Sequence, residues 1–190
     1  IRFYRWYPEE EAAVAFEAPP IEVEVGPGEA AELSQQCERT GAELWWPERP
    51  RLYRVEAVIL SADGLEIDDH VDTTGIRTIQ QRGGRFYLNG RRFVMRGFCD
   101  NLGFAPGADS HGSVCPPDAW IARDLALAKA ANANTVRIHP WGHSGEPGKY
   151  DDRGWPGWGL PTDGTNFARI AEIADQLGVC LIWVTRHWTL

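Results

Sequence analysis

Several things are scarce in this sequence, and each shortage closes off a class of function. Positive charge is short: 19 Lys and Arg stand against 27 Asp and Glu, a formal net charge of −8. A phosphate-backbone partner needs clustered basic residues, so no nucleic-acid partner is expected. No apolar run approaches the ~20 residues of a bilayer span, so no transmembrane helix and no membrane partner is expected. Cysteine is limited to Cys37, Cys99, Cys115 and Cys180, with no CxxC pair, which argues against zinc knuckles and paired-thiol redox chemistry. Asp109, His111, Asp151 and Asp152 lack metal-ligand spacing and no calcium-loop pattern occurs. The expectation is therefore no metal and no cofactor. Ile1-Arg2-Phe3-Tyr4-Arg5-Trp6 lacks the order of a secretory leader and reads as the middle of a folded segment. The compartment is not legible.

What is present suits a soluble globular protein: 190 residues, 43% apolar and 24% charged. A chain of that size can bury ~70% of its unfolded surface, enough for a real core in one or two domains. Tryptophan is the outlying residue, nine in all, of which Trp141, Trp155, Trp158, Trp183 and Trp188 follow residue 140.

The first seventy or so residues carry strand signals. Ile21-Glu22-Val23-Glu24-Val25 alternates apolar and charged, predicting a strand with one wet face, closed by Gly26-Pro27-Gly28. Leu52 to Leu60, rich in Tyr and Val, predicts another, ended by Asp63-Gly64. Glu9 to Phe16 is ambiguous. Short strands with turn signals imply a β-sandwich, either short or lacking its beginning. A hairpin follows: Phe86-Tyr87-Leu88 and Phe93-Val94-Met95 flank Asn89-Gly90, a pair suited to a type I′ turn. Arg91-Arg92 leaves its register open.

After residue 97 the period changes. Asp118 can cap a helix with Trp120, Ile121, Leu125 and Ala128 on one stripe, stopped at Asn132 to Asn134. Thr135 to His139 is a strand ended by Pro140. Asn166 to Leu177 is a second helix (stripe Phe167, Ile170, Ile173, Ala174, Leu177), terminated by Gly178 in the left-handed conformation. Val179 to Val184 is an unbroken apolar strand. Strand, helix, strand, helix, strand predicts a parallel sheet. Three parallel strands cannot close a barrel, so we expect a piece of a longer protein, or a sheet completed by another chain.

Five motifs carry a family resemblance. Trp45-Trp46-Pro47-Glu48-Arg49-Pro50-Arg51-Leu52-Tyr53 resembles W-x-P-E-x-P-x-L-Y in the immunoglobulin-like domain of glycoside hydrolase family 2. Gly75-Ile76-Arg77-Thr78-Ile79 resembles that family's G-(F/I)-R-x-I link. Phe86 to Gly90 with Met95-Arg96-Gly97 is similar to its F-x-L-N-G…L-R-G hairpin at the bottom of the catalytic barrel. Asn134-Thr135-Val136-Arg137 resembles N-(A/T)-V-R on the second barrel strand, and Ala174 to Trp183 resembles x-D-x-x-G-(I/V)-x-(V/I)-W at the third. The motifs occur in the family's order. The resemblance implies a multidomain β plus α/β architecture: residues 1–75 from a partial immunoglobulin-like β-sandwich, residues 76–190 from the first part of a (β/α)₈ TIM barrel. It also implies retaining hydrolysis of β-galactosides, β-glucuronides or β-mannosides by two carboxylates ~5–5.5 Å apart.

The family's acid/base glutamate follows an asparagine, and no Asn-Glu dipeptide occurs here. The catalytic pair is thus expected outside this chain, and Glu146, Asp151, Asp152 and Glu172 are read as solvated carboxylates. The chain's contribution would be binding of a carbohydrate substrate. Arg137 and His139, at the C-terminal end of the second barrel strand, share one side of it. Arg137 would hold a catalytic carboxylate and His139 would meet sugar or pack within the barrel. The family's N-x-H after the first Arg-Gly is replaced by Cys99-Asp100-Asn101; Asp100 or Asn101 would bond sugar hydroxyls. The loop from Pro140 to Gly164 holds seven glycines, His143, Trp141, Trp155 and Trp158. Its indoles would either stack on a pyranose or pin the loop to the barrel. His187 would point into the pocket, and Trp183 reads as core. The rival readings are a non-catalytic carbohydrate-binding protein and a barrel glycosidase of the broader clan.

Overall fold

The computed structural model describes residues 1–38, 41–100, 118–138 and 165–183. Contacts divide the chain into two units, Ile1–Trp45 with Arg51–Arg77, and Trp46–Pro50 with Thr78–Leu190.

The first unit is built on β1 (Arg2–Tyr7), β2 (Val14–Glu17), β3 (Leu52–Leu60) and β4 (Glu66–Thr74), an antiparallel sheet in the order β2-β1-β3-β4. Strand alternation sorts its side chains. On one face Phe3 stacks on Phe16 at 4.4 Å between ring centroids, and Phe16 meets Tyr53 at 5.3 Å. On the other, Tyr4 donates to Glu56 at 2.9 Å and Arg54 lies 4.3 Å over the Tyr4 ring. Of the ambiguous Glu9 to Phe16 stretch, only Val14 to Phe16 is strand, within β2, and the residues before it form no regular element. The β3–β4 turn forms where Asp63-Gly64 predicts it, with Gly64 at φ 84°.

The expected strand at Ile21 to Val25 does not form. Ile21, Val23 and Val25 are exposed and no ladder includes them. Alternation specifies a strand only where a neighbour supplies hydrogen bonds and a layer covers the apolar half. Neither exists there among the described residues. Trp45 is fully buried against Gly75, where a Cβ would come within 2.7 Å of the indole, and Arg77 stacks on its ring at 4.4 Å. That pairing explains why the tryptophan and the glycine of two separate motifs occur together.

In the second unit β5 (Ile79–Arg82), β6 (Arg85–Leu88) and β7 (Arg91–Phe93) form an antiparallel sheet. Leu88 pairs with Arg91, so Asn89 (φ 48°) and Gly90 (φ 78°) make the expected two-residue turn and Arg91-Arg92 belong to the strand. The Asn89 side chain accepts the Thr78 N–H at 2.8 Å.

β8 (Gly97–Asp100), α1 (Asp118–Ala130), β9 (Thr135–Ile138), α2 (Thr165–Leu177) and β10 (Cys180–Trp183) follow. The three strands are parallel in the order β10-β9-β8. Ile121 and Leu125 of α1, Val136 and Ile138 of β9, Ile170, Ile173 and Ala174 of α2, and Val179 form one buried cluster, with Ala128, Leu177, Leu181 and Trp183 packed on it. Of the predicted stripes, Ile121, Leu125 and Ala128 of α1 and Ile170, Ile173, Ala174 and Leu177 of α2 thus face this core, while the side chains of Trp120 and Phe167 lie outside the described ones. At ~1.5–3 kcal/mol per buried aliphatic side chain, the cluster dominates the unit's stability. Gly178 ends α2 at φ 70°, as its sequence position predicts.

Candidate functional site at the C-terminal edge of the parallel sheet

The two ends of the parallel strands are built differently. Asn134, buried, organises the N-terminal end. Its Oδ1 accepts the Arg96 N–H at 2.9 Å and the Thr135 hydroxyl at 3.0 Å, while its Nδ2 donates to the Val94 carbonyl at 2.9 Å. Its backbone carbonyl accepts the Cys180 N–H at 2.9 Å. One residue, through its side chain and its backbone carbonyl, therefore ties the approach to β8 to both following strands. Gly97 lies so close to β9 that a Cβ would overlap the Thr135 carbonyl. Lys129, near the end of α1, donates to the carbonyls of Pro47 and of Gly178, the latter at 2.9 Å. Burial pushes its ammonium below the usual lysine range.

Towards the other end stands Arg137. Val136 and Ile138 point into the helix-covered core, so Arg137 between them projects from the opposite face, where it is exposed. The register sets Cys99, Arg137 and Ile182 in one row across the sheet. Arg137 Nη1 donates to Cys99 Sγ at 3.0 Å. The next row, the last of the ladder, is Asp100, Ile138 and Trp183. Arg137 and Asp100 are thereby brought to adjacent strands, one position apart. In α/β folds ligands bind beyond the carboxyl ends of the strands, and this is that edge.

Of the other residues singled out in the sequence, Asn101, His139, Trp141, Trp155, Trp158 and His187 lie outside the described residues. Trp183 packs against the core. Glu172 is exposed and ion-paired with Arg169 at 2.6 Å. Cys99 is the neighbour that sequence reasoning did not weigh as a partner of Arg137. Only the parallel register, which places positions 99 and 137 side by side, discloses it.

In the first unit a polar cleft of about 160 Å³ is lined by Arg5, Glu11, Glu43, Arg51 and Tyr53, among others. Arg5 pairs with Glu11 at 3.1 Å, Arg5 and Arg51 reach Glu43 at 3.6 and 3.7 Å, and the Tyr53 hydroxyl accepts the Glu43 N–H at 2.8 Å. Glu9 also lines the cleft, so its three glutamates outnumber its two arginines. Among the described residues no group of three His, Cys, Asp or Glu side chains could hold a metal ion, and no helix is long and apolar enough to cross a membrane.

Antiparallel β-sheets leading into a small parallel β/α region make this a β plus α/β chain. Comparison with known proteins narrows this. The family model described as Glycosyl hydrolases family 2 matches residues 6–77. A β-glucuronidase of Paenibacillus borealis is 32% identical over 112 residues, covering 59% of this chain and 18% of that enzyme. A β-galactosidase of Erwinia tasmaniensis is 36% identical over 94 residues, covering 50% of this chain and 9% of that enzyme. Among solved structures, Bifidobacterium dentium β-glucuronidase complexed with coumarin-3-O-glucuronide matches 75% of this chain and 19% of its own at a TM-score of 0.51 and 26% identity. Ruminococcus gnavus β-glucuronidase, at 22% identity and a TM-score of 0.52, shares the fold over 75% of this chain and 20% of its own. The chain carries a glycoside hydrolase family 2 region and spans less than a fifth of the length of these two sequence relatives.

Proposed function

We propose that the chain is the stretch of a retaining β-glycoside hydrolase that joins an immunoglobulin-like β-sandwich to a (β/α)₈ barrel, contributing the end of the first and the opening three strands of the second. One observation carries this reading. β8, β9 and β10 lie side by side in chain order and parallel, one face closed by helices and the other presenting Arg137 near its C-terminal end. In a closed barrel the uncovered face becomes the interior and that end becomes the floor of the active site. The names of the relatives support a β-glucuronide or β-galactoside as substrate.

In this reading the chain binds and orients, while two carboxylates from polypeptide outside it do the bond chemistry. One attacks the anomeric carbon, and the other protonates the leaving oxygen and then activates water. Arg137 holds one of those carboxylates ionised through a charge-assisted bond. Asp100 and Asn101 accept from sugar hydroxyls, His139 and His187 meet the sugar, and Trp141, Trp155 and Trp158 offer it aromatic faces. The test is turnover of aryl β-D-glucuronide and β-D-galactoside by the full-length protein, with the first-formed anomer read by NMR. Retention of configuration, together with a kcat ~10²-fold lower in Arg137→Ala at nearly unchanged KM, is expected for a group that steadies transition-state charge. Sugar binding without hydrolysis would refute it and favour a non-catalytic carbohydrate-binding protein.

A further inference from the structure

Arg137 has a different neighbour on each side. Its row of the parallel sheet runs from Cys99 on β8 through Arg137 on β9 to Ile182 on β10. Residues level with one another on adjacent strands project from the same face, so all three stand together on the side away from the helices. Isoleucine offers no acceptor, whereas Arg137 Nη1 donates to Cys99 Sγ at 3.0 Å. Among the described residues no carboxylate lies within ion-pair distance of Arg137. There the sulfur is the acceptor that fixes the guanidinium.

The contact is set by the backbone just before it. The Asn134 side chain accepts the Arg96 N–H at 2.9 Å, and the N–H groups of Asn134 and Thr135 donate to the Arg96 carbonyl at 2.9 and 3.1 Å. Gly97 then pairs with Thr135, so close that only a residue without Cβ fits. Two residues further along each strand stand Cys99 and Arg137. A slip of one residue would turn Cys99 to the helix-covered face, so the register that builds the sheet also delivers the sulfur to the arginine.

The choice of atom has a chemical consequence. A guanidinium carries five N–H donors, and the sulfur occupies one of them. Sulfur is a weak acceptor, so it directs the fork without competing strongly for it. An Asp or Glu at position 99 would direct it more firmly but would hold it in an ion pair, against any carboxylate arriving later. A long side chain loses rotamer freedom when a ligand fixes it, and a neighbour that already fixes it lessens that loss. We propose that Cys99 is the positioning residue for Arg137: its sulfur holds one N–H so that the remaining donors are already oriented for the catalytic carboxylate. This role rests on the retaining-hydrolase reading given above, and Cys99 acts in it through Arg137, not on the sugar.

Turnover of aryl β-D-glucuronide and β-D-galactoside by the full-length protein tests it, in wild type, Cys99→Val and Cys99→Ser, each with and without Arg137→Ala. Valine suits a strand but has no acceptor, whereas serine keeps one. Cys99→Val should lower kcat about fivefold to tenfold at nearly unchanged KM, the effect of one hydrogen bond that counts in the transition state. Cys99→Ser should recover most of that loss. With Arg137→Ala in place, Cys99→Val should change kcat less than about twofold, because the group through which it acts is gone. A wild-type kcat in Cys99→Val would overturn the proposal and leave the hydrolase reading standing. So would a loss confined to KM, a serine variant no better than valine, or a valine effect undiminished without Arg137. Absence of turnover in the wild type would instead sink the hydrolase reading, and this proposal with it.

Discussion

Removing the Asn134 carboxamide is the sharpest perturbation of the region that positions the candidate site. That side chain makes three hydrogen bonds, at 2.9, 2.9 and 3.0 Å, while only 4% exposed. At ~1 kcal/mol net per bond, Asn134→Ala removes about 3 kcal/mol if all three count in full. The Arg96 N–H and Val94 carbonyl are only partly buried, so water recovers some of this and about 2–3 kcal/mol is the expected loss. Asn134→Asp separates the contributions. It keeps an acceptor for Arg96 and Thr135 but sets a carboxylate oxygen against the Val94 carbonyl, so it should be as damaging as Ala despite its near-identical shape. Urea unfolding with a shared m-value is the assay. A loss below ~0.5 kcal/mol in Asn134→Ala, or an Asp variant close to wild type, would refute the role assigned to this amide.

Gly97→Ala drives a methyl into the Thr135 carbonyl, so β8 should detach from β9. Hydrogen exchange at Phe98 and Cys99 should accelerate by orders of magnitude, and unchanged protection would disprove the close approach. Lys129→Met deletes donors to the Pro47 and Gly178 carbonyls and should cost about 1–2 kcal/mol by thermal unfolding. Because burial lowers the Lys129 pKa from its ordinary 10.5, the unfolded chain binds more protons as pH approaches that value. The lysine's share of stability therefore rises with pH up to there, and the slope should vanish in the Met variant.

Much of the second unit was legible because local signals and tertiary demand agree. Ile121, Leu125, Ile170 and Ile173 recur at helical spacing and are buried, and Asn89-Gly90 and Gly178 adopt the positive φ their positions predict. Ile21 to Val25 failed for the converse reason: its alternation is a local signal with no neighbouring strand to receive it. β4 escaped notice because Glu66-Ile67-Asp68-Asp69-His70 has poor strand propensity and is held in place by pairing with β3. At the candidate site, the place of Arg137 on a strand was legible, but Cys99 beside it depends on inter-strand register, which one sequence does not encode locally. Four residues of the motifs that carry the family resemblance are architectural. Trp45, Gly75, Asn134 and Gly178 each meet a packing or hydrogen-bonding need.

The five residues Trp46–Pro50 belong with the second unit although sequence on both sides of them belongs to the first. A gene truncated to begin at Thr78 would omit the loop whose Pro47 carbonyl satisfies Lys129 and whose Trp46 indole lies 5.1 Å from the Arg91 guanidinium. No single scissor cut yields both units whole, so a separately expressed second unit would need those five residues grafted back.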